Sequence, residues 1–208
     1  MRIVPLALLV LCSACAGHRY FAPRENGNGT GPDGEPAAVY PVDAGVLGGT
    51  LGEVRVWSKG MSLVDDDDGN DHLELHVGFE IENTGPELLV LDLPLLRCEK
   101  IQIGEQTIDT IAPARTEGVA DALPGTTTRV DAFFEPVVDA VPRDVSAFAV
   151  HFQVLTGKGP VLVQVTPFVP HRPDDRSRHD VWFWGPGFSG YGWGPGFGFG
   201  WHGRRSCR

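Results

Sequence analysis

The sequence predicts an all-β protein whose core is a single antiparallel β-sandwich. Short apolar segments alternate with polar residues in a period of two, and Gly or Pro turn signals separate most of them. No segment has a convincing helical period, and residues 135–144 contain Pro136 and Pro142, which oppose a helix. About eight short strands at this spacing are typical of a sandwich.

The clearest predicted strand spans residues 72–82. Its apolar residues alternate along one face: Leu73, Leu75, Val77, Phe79 and Ile81. Its polar residues alternate along the other face: His72, Glu74, His76, Glu80 and Glu82. The first face is expected to pack on the core and the second to face water. A turn at 83–86 leads into a return strand at 88–93.

The other strands are predicted from shorter apolar runs, at 52–57, 99–103, 106–111, 126–134, 147–155 and 161–168. Gly104 and Glu105 are predicted to form a two-residue hairpin turn, in which Gly104 would supply a positive φ. The strand at 147–155 places four apolar residues on one face: Phe148, Val150, Phe152 and Val154. In the last strand, Val161, Val163 and Val165 share a face.

Length and charge limit the classes of function. The chain has 208 residues, enough for one domain with flanking segments. It carries 17 basic and 27 acidic residues, a formal net charge of −10. A nucleic-acid partner is therefore not expected, because nucleic-acid binding needs a basic surface. The sandwich is predicted to occupy residues 51–170.

The first segment is predicted to be a secretory signal peptide covering residues 1–14. Arg2 precedes an apolar run of nine residues, 3–11. A membrane-spanning helix needs about 20 apolar residues, so this run is too short to cross a bilayer. A positive residue, a short apolar run and small residues before a cysteine are typical of a signal peptide.

The end of this segment resembles the lipobox of bacterial lipoproteins. In that motif an aliphatic residue and two small residues precede the cysteine that receives lipid. Ser13, Ala14 and Cys15 match the last three positions, whereas Cys12 stands where Leu is usual. Cys12 is the weaker candidate, because Leu11 before it is bulkier than the signal peptidase accepts.

The resemblance implies that Cys15 is the lipidated residue and that a membrane is the first partner. The mature chain would then have 208 − 14 = 194 residues. Ala16 follows the cysteine, instead of the Asp that marks inner-membrane retention in enteric bacteria. The outer membrane is therefore the favoured location. The alternative is an ordinary cleaved signal peptide with incidental cysteines.

Segments of unusual composition flank the predicted sandwich. Residues 15–50 are rich in Gly and Pro and are predicted to be a disordered, flexible, lipid-anchored linker. Residues 171–208 form a low-complexity tail with a repeated WGPGF motif. Four tail tryptophans are the candidate binding residues for an envelope protein or a glycan: Trp182, Trp184, Trp193 and Trp201. The alternative is a disordered end with no partner.

Two stretches of the core resemble immunoglobulin-like accessory domains of secreted bacterial proteins. Residues 77–93 have the strand, Asn-Thr-Gly turn and Leu-rich strand of the middle of such domains. Residues 123–134, a Pro-Gly turn before a Thr-rich strand, are similar to their second half. The resemblance implies an immunoglobulin-like sandwich and no particular activity.

Acidic residues and cysteines supply the remaining candidates. The weak metal candidates are the carboxylates of one run: Asp65, Asp66, Asp67, Asp68 and Asp71. An EF-hand is excluded because Val64 would fall at its first ligand position, which leaves a looser calcium site or a solvated loop. His72, Glu74 and His76 are interpreted as a solvent-facing strand face. Cys98 and Cys207 are a possible disulfide, the alternatives being a buried free Cys98 or an intermolecular bond through Cys207.

No catalytic motif is present in the sequence, so neither an enzyme nor a cofactor is expected. The first hypothesis is a lipid-anchored, non-enzymatic binding or structural protein of the cell envelope. The alternative is a periplasmic metal-binding lipoprotein that holds calcium or a transition metal. That protein would use the acidic run, or the tail residues His202 and Cys207.

Overall fold

The computed structural model describes residues 18–44, 49–65 and 71–171. Thirteen strands make up most of these residues: β1 His18–Pro23, β2 Gly29–Thr30, β3 Pro36–Asp43, β4 Thr50–Asp65, β5 Asp71–Asn83, β6 Leu89–Leu91, β7 Arg97–Ile103, β8 Gln106–Ile111, β9 Arg115–Gly118, β10 Asp121–Ala122, β11 Thr127–Phe134, β12 Val145–Thr156 and β13 Gly159–His171. The helical structure in the described ranges is limited to two 3-10 turns, Leu93–Leu95 and Pro142–Asp144. The all-β class is confirmed.

The strands form one curled antiparallel sheet with two halves. One half runs β9–β11–β5–β4–β3–β2, and the other contains β13 and β12 with β7–β8 and β6–β10 beyond them. Strand β1 belongs to both halves, since Arg19 pairs with Met61 of β4 whereas Tyr20 pairs with His171 of β13. The predicted antiparallel arrangement is therefore confirmed.

The inner faces of the two halves enclose one apolar core. Phe152 of β12 makes edge contacts with Tyr40 of β3 and Phe79 of β5, with ring centroids 5.8 and 5.4 Å apart. The hydroxyl groups of Tyr40 and Thr166 of β13 are hydrogen-bonded at 2.9 Å, which joins the halves through a buried polar contact. The curl thus brings strands that are distant in sheet order into contact.

The predicted alternation of β5 is confirmed on its core face. All five predicted apolar side chains are at most 1% exposed. The hairpin register sets Val54 opposite Ile81 and Val56 opposite Phe79, which keeps the apolar sets of β4 and β5 together. The outer face is less exposed than expected, since Glu74 is only 9% exposed.

The predicted flexible linker over residues 15–50 is wrong where the structure describes it. Strands β1, β2 and β3 lie within it, and the side chains of Phe21, Ala38, Tyr40 and Val42 are buried. The inward residues of β3 alternate, but Pro41 and the surrounding glycines hide this short period in the sequence. The domain therefore includes the strands between His18 and Asp43, which precede its predicted start at residue 51.

Other differences are local. The return strand predicted at 88–93 shortens to β6, because the 3-10 turn containing Pro94 replaces its end. The β7–β8 hairpin is confirmed, with Gly104 at a φ of 56°. Val163 and Val165 share a face as predicted, but that face points outward, and the two side chains are 54% and 48% exposed.

Candidate functional site

The outer face of β5 and its neighbours carries an organised set of polar and aromatic groups. His76 Nε2 lies 2.7 Å from Asp131 Oδ1 of β11, and the Arg129 guanidinium donates two hydrogen bonds of 2.9 Å to the same carboxylate. The His76 ring stacks on Phe133, with centroids 4.3 Å apart. The Arg115 guanidinium of β9 lies 3.5 Å from the Phe133 centroid.

The charge of Asp131 holds part of this face together. Burial alone raises the pKa of its carboxyl group, but hydrogen bonds from Arg129 and His76 outweigh burial and bring the pKa below its usual value. Asp131 is therefore ionised at neutral pH. Because Arg129 and His76 hold the Asp131 carboxylate in place, we assign it a role in stabilising the fold and not in proton transfer.

Trp57 lies on this outer face and is nevertheless completely buried. It packs over Gly78 of β5, where a Cβ atom would lie 2.3 Å from Trp57 Cε2. Gly31 of the β2–β3 connection covers the ring from the other side, and Lys59 ties that connection down through a 2.7 Å ion pair with Asp33. No described residue accepts a hydrogen bond from Trp57 Nε1.

A second cluster lies where β5 and β11 approach the acidic hairpin end. A ring nitrogen of His72, a Glu74 carboxylate oxygen and a Glu135 carboxylate oxygen all lie within 4.8 Å of one another. His72 and Glu74 are two residues apart on the same strand face, and Glu135 directly follows β11. Arg115 Nη2 donates a 2.8 Å hydrogen bond to Glu74 Oε2.

An open groove of about 580 Å³ borders this cluster. His72 and Glu135 contribute to its polar side, together with Asp71. Leu63, Leu73 and residues 136–141 form most of the remaining wall. The groove therefore joins a carboxylate–imidazole cluster to an apolar surface at one end of the sheet.

The predicted acidic metal site is only partly within the described residues. Asp65 and Asp71 form the last pair of the β4–β5 hairpin, and a hydrogen bond and charge repulsion from Asp65 raise the pKa of Asp71. Asp66, Asp67 and Asp68 lie outside the described residues. The calcium site stays a prediction.

Cys98 is buried within the core and forms no disulfide with any residue that the structure describes. Burial raises its pKa well above the usual range for cysteine. The possible disulfide between Cys98 and Cys207 stays a prediction. Cys207 lies outside the described residues, as do Cys15 and the other tail residues singled out above: Trp182, Trp184, Trp193, Trp201 and His202.

The two chain ends of the described domain meet at one place. Strand β1 starts at His18, three residues after Cys15, and its residue Tyr20 pairs with His171 at the end of β13. Strand β1 also pairs with β4, where His18 lies opposite Ser62. Ser62 is three residues from Asp65, the last residue of β4, so the chain ends of the domain lie at the same end of the sheet as the last pair of the β4–β5 hairpin.

Sequence reasoning missed Glu135 as a partner of His72 and Glu74. The register of β5 and β11 places Phe134 opposite Leu75, so the next residue falls beside Glu74. That register depends on tertiary pairing, which the sequence pattern does not specify. The sequence pattern places His72 and Glu74 on the same face of a strand, but it offers no third metal ligand beside them. The pattern therefore predicts only a strand face that is exposed to solvent.

Comparison with family models, curated protein sequences and solved structures finds no significant match. The resemblance to lipoproteins therefore depends on the residues of the first segment alone. Within the part of the chain that the structure describes, there is no helix of sufficient length and apolar character to span a bilayer.

Proposed function

We propose that this chain is a lipid-anchored, non-enzymatic binding module of the cell envelope, with Cys15 as the lipidated residue and the outer membrane as the favoured location. The observation that carries the proposal is the pairing of Tyr20 with His171. Through it, the lipidation candidate and the start of the aromatic tail adjoin the same end of the domain.

The anchor is short. Only Ala16 and Gly17 separate Cys15 from β1, so the Cα atoms of Cys15 and His18 are at most about 11 Å apart. A lipidated Cys15 would hold the domain close to the bilayer instead of on a long tether. Several acyl chains provide stable attachment, whereas a single short chain binds only marginally.

The composition of the tail is suited to binding at an anionic membrane or glycan surface. Residues 171–208 contain six Arg and three Asp, a charge of +3 on a chain whose net charge is −10. Each basic residue near an anionic surface contributes about 1 kcal/mol, so the Arg residues alone bind weakly. Trp rings favour the boundary between apolar and wet surroundings, and their flat faces also stack on sugars.

We further propose that the two facing halves form an immunoglobulin-like sandwich. Support comes from β1, which leaves one half and continues in the other, and from the ring contacts between β5 and β12. A module of this kind supplies a rigid support for binding surfaces at its ends.

Mass spectrometry of the mature N-terminus tests the anchor. Cys15→Ala should give an unlipidated, uncleaved precursor, whereas the matched variant Cys12→Ala should be processed normally. A lipidated fragment that begins at Cys12 would contradict the assignment of Cys15.

Binding to isolated envelopes tests the tail. In an unlipidated full chain, replacement of the four tail Trp by Ser should release the protein from the envelope fraction. Replacement of the same residues by Phe should preserve most of the binding, because the apolar ring is kept. Equal retention of the Ser variant and the unsubstituted chain would remove the proposed role of the tail.

A further inference from the structure

We propose that His72, Glu74 and Glu135 form a binding site for a divalent transition-metal ion, with zinc as the best fit to the donor set. The site is independent of the lipid anchor and of the aromatic tail. It supplies one imidazole nitrogen and two carboxylates, which are ligands that zinc accepts at about 2.0–2.2 Å. It also differs from the acidic run at the hairpin end, which was the predicted site for calcium.

The distances are close to those of a metal site. Two ligand atoms about 2.1 Å from a tetrahedral ion are separated by about 3.4 Å. The three ligand atoms lie within 4.8 Å of one another, and the His72 Nε2 to Glu135 Oε1 distance is already 3.9 Å. Rotation of the exposed Glu135 side chain between staggered conformers can shorten the remaining distances without moving the sheet.

The backbone holds two of the ligands rigidly. His72 and Glu74 belong to β5, which pairs with β4 at both positions, where His72 lies opposite Val64 and Glu74 opposite Ser62. The pairing of β5 with β11 begins at the next residue, Leu75. Leu73 and Leu75 between and beside them are buried in the core, which fixes the direction of the outward side chains. Glu135 extends from the end of β11 and is the adjustable member of the set.

The charges also favour a dication. Glu74 and Glu135 together carry two negative charges, and the Glu74 side chain is only 11% exposed. Arg115 is the cation that offsets Glu74, and it also lies 2.5 Å from Glu117. Because Arg115 has this second carboxylate partner, it can retain an ion pair when a metal takes up part of the charge of Glu74.

The donor set favours zinc over calcium. Calcium takes six to eight oxygen ligands, whereas this cluster offers one nitrogen and two carboxylate groups. Three protein ligands leave one position of a tetrahedral zinc open. That position would take water, or an oxygen donor of a molecule that lies in the groove beside His72 and Glu135.

Isothermal titration of the full chain with zinc chloride tests the site. His72→Ala and Glu135→Gln should each weaken zinc binding at this site by about 100-fold or more, because each removes a direct ligand and loss of an outer-shell partner alone costs about 10–100-fold. The control Glu105→Gln removes the same charge from an exposed turn and should bind zinc normally. Unchanged binding by both ligand variants would refute the site, as would an equal loss in the control.

Two further measurements separate this site from zinc bound by tail residues. Zinc should shift the imidazole NMR signals of His72 in the full chain, and Glu135→Gln should abolish that shift while His202 remains available. Arg115 Nη2 lies 2.8 Å from Glu74 Oε2, and a zinc ion would lie about 2.1 Å from a Glu74 oxygen. Arg115→Gln should therefore tighten zinc binding about tenfold, because a unit charge roughly 6 Å from a dication opposes binding by about that factor in water. An unshifted His72 signal, or unchanged affinity in Arg115→Gln, would exclude the three-ligand arrangement.

Discussion

Substitution of Gly78 tests the packing of the outer face. A Cβ atom at position 78 would lie 2.3 Å from Trp57 Cε2 and 2.6 Å from Trp57 Nε1. The indole cannot move away freely, because it is completely buried beneath Gly31. Overpacking of this kind costs about 1–3 kcal/mol, and the lack of space around Trp57 places Gly78→Ala at the upper end.

Urea unfolding followed by circular dichroism measures this cost. Gly157→Ala is the matched control, since its added methyl group would meet no atom within 4 Å, and it should stay within about 0.5 kcal/mol of the unsubstituted chain. The double variant Gly78→Ala with Trp57→Leu should be more stable than the sum of the single effects predicts, by about 1–3 kcal/mol, because the smaller side chain removes the clash. Equal stability of Gly78→Ala and the control, or strict additivity in the double variant, would refute the packing described for Trp57.

Three further predictions concern the Tyr40–Thr166 contact, the Cys98 thiol and the Asp131 carboxylate. Tyr40→Phe should lower the free energy of unfolding by about 1–2 kcal/mol, because the Thr166 hydroxyl loses its partner; urea unfolding measures it, and an unchanged midpoint would contradict the buried contact. Cys98 should resist thiol reagents at pH 8 in the folded chain and react in urea; with the other cysteines replaced by Ser, rapid native labelling would show that it is accessible. The lowered pKa of Asp131 should stabilise the fold at pH values above the carboxyl pKa of the unfolded chain, and this stability should be lost as the pH falls through the pKa of the folded state. Asp131→Asn should therefore reduce the fall in the free energy of unfolding at acid pH. An unchanged pH dependence in this variant would exclude the contribution.

The sequence was most informative where one strand face is apolar without interruption. The alternation of Leu73 to Ile81 predicted both the extent of β5 and its core face, because a two-residue period with one buried side is hard to mistake. Gly104 similarly marked its hairpin, since a tight turn needs a residue that tolerates positive φ.

The N-terminal strands were missed for a physical reason. β3 has a period-two core face, but Pro41 lies on its exposed side and Gly residues surround it, so local propensity favoured a linker. Pairing with β4 and the buried contact of Tyr40 with Thr166 stabilise the strand. Those are tertiary interactions, which outweigh local propensity in β-structure.

The candidate metal cluster shows the same limit. The sequence pattern already places His72 and Glu74 on one face of β5. Glu135, the third member of the cluster, lies after the end of β11 and before Pro136, where no periodic pattern indicates its position. Only the β5–β11 register brings it beside Glu74. The buried state of Glu74 likewise depends on Arg115 of β9, a short polar strand with no apolar pattern to predict it.

Paramagnetic broadening by lipid headgroups tests the central proposal most directly. The lipidated mature chain would be placed in bilayers that contain a spin-labelled headgroup, and amide signals of the domain would be compared by NMR. Tyr20 and His171 lie at the end that adjoins the anchor, whereas Asn83 and Thr126 lie at the opposite end, about 25 Å away along β4 and β5. A domain held close to the bilayer predicts strong broadening at Tyr20 and His171 and little at Asn83 and Thr126. Equal broadening at both ends, or stronger broadening at Asn83 and Thr126, would contradict it.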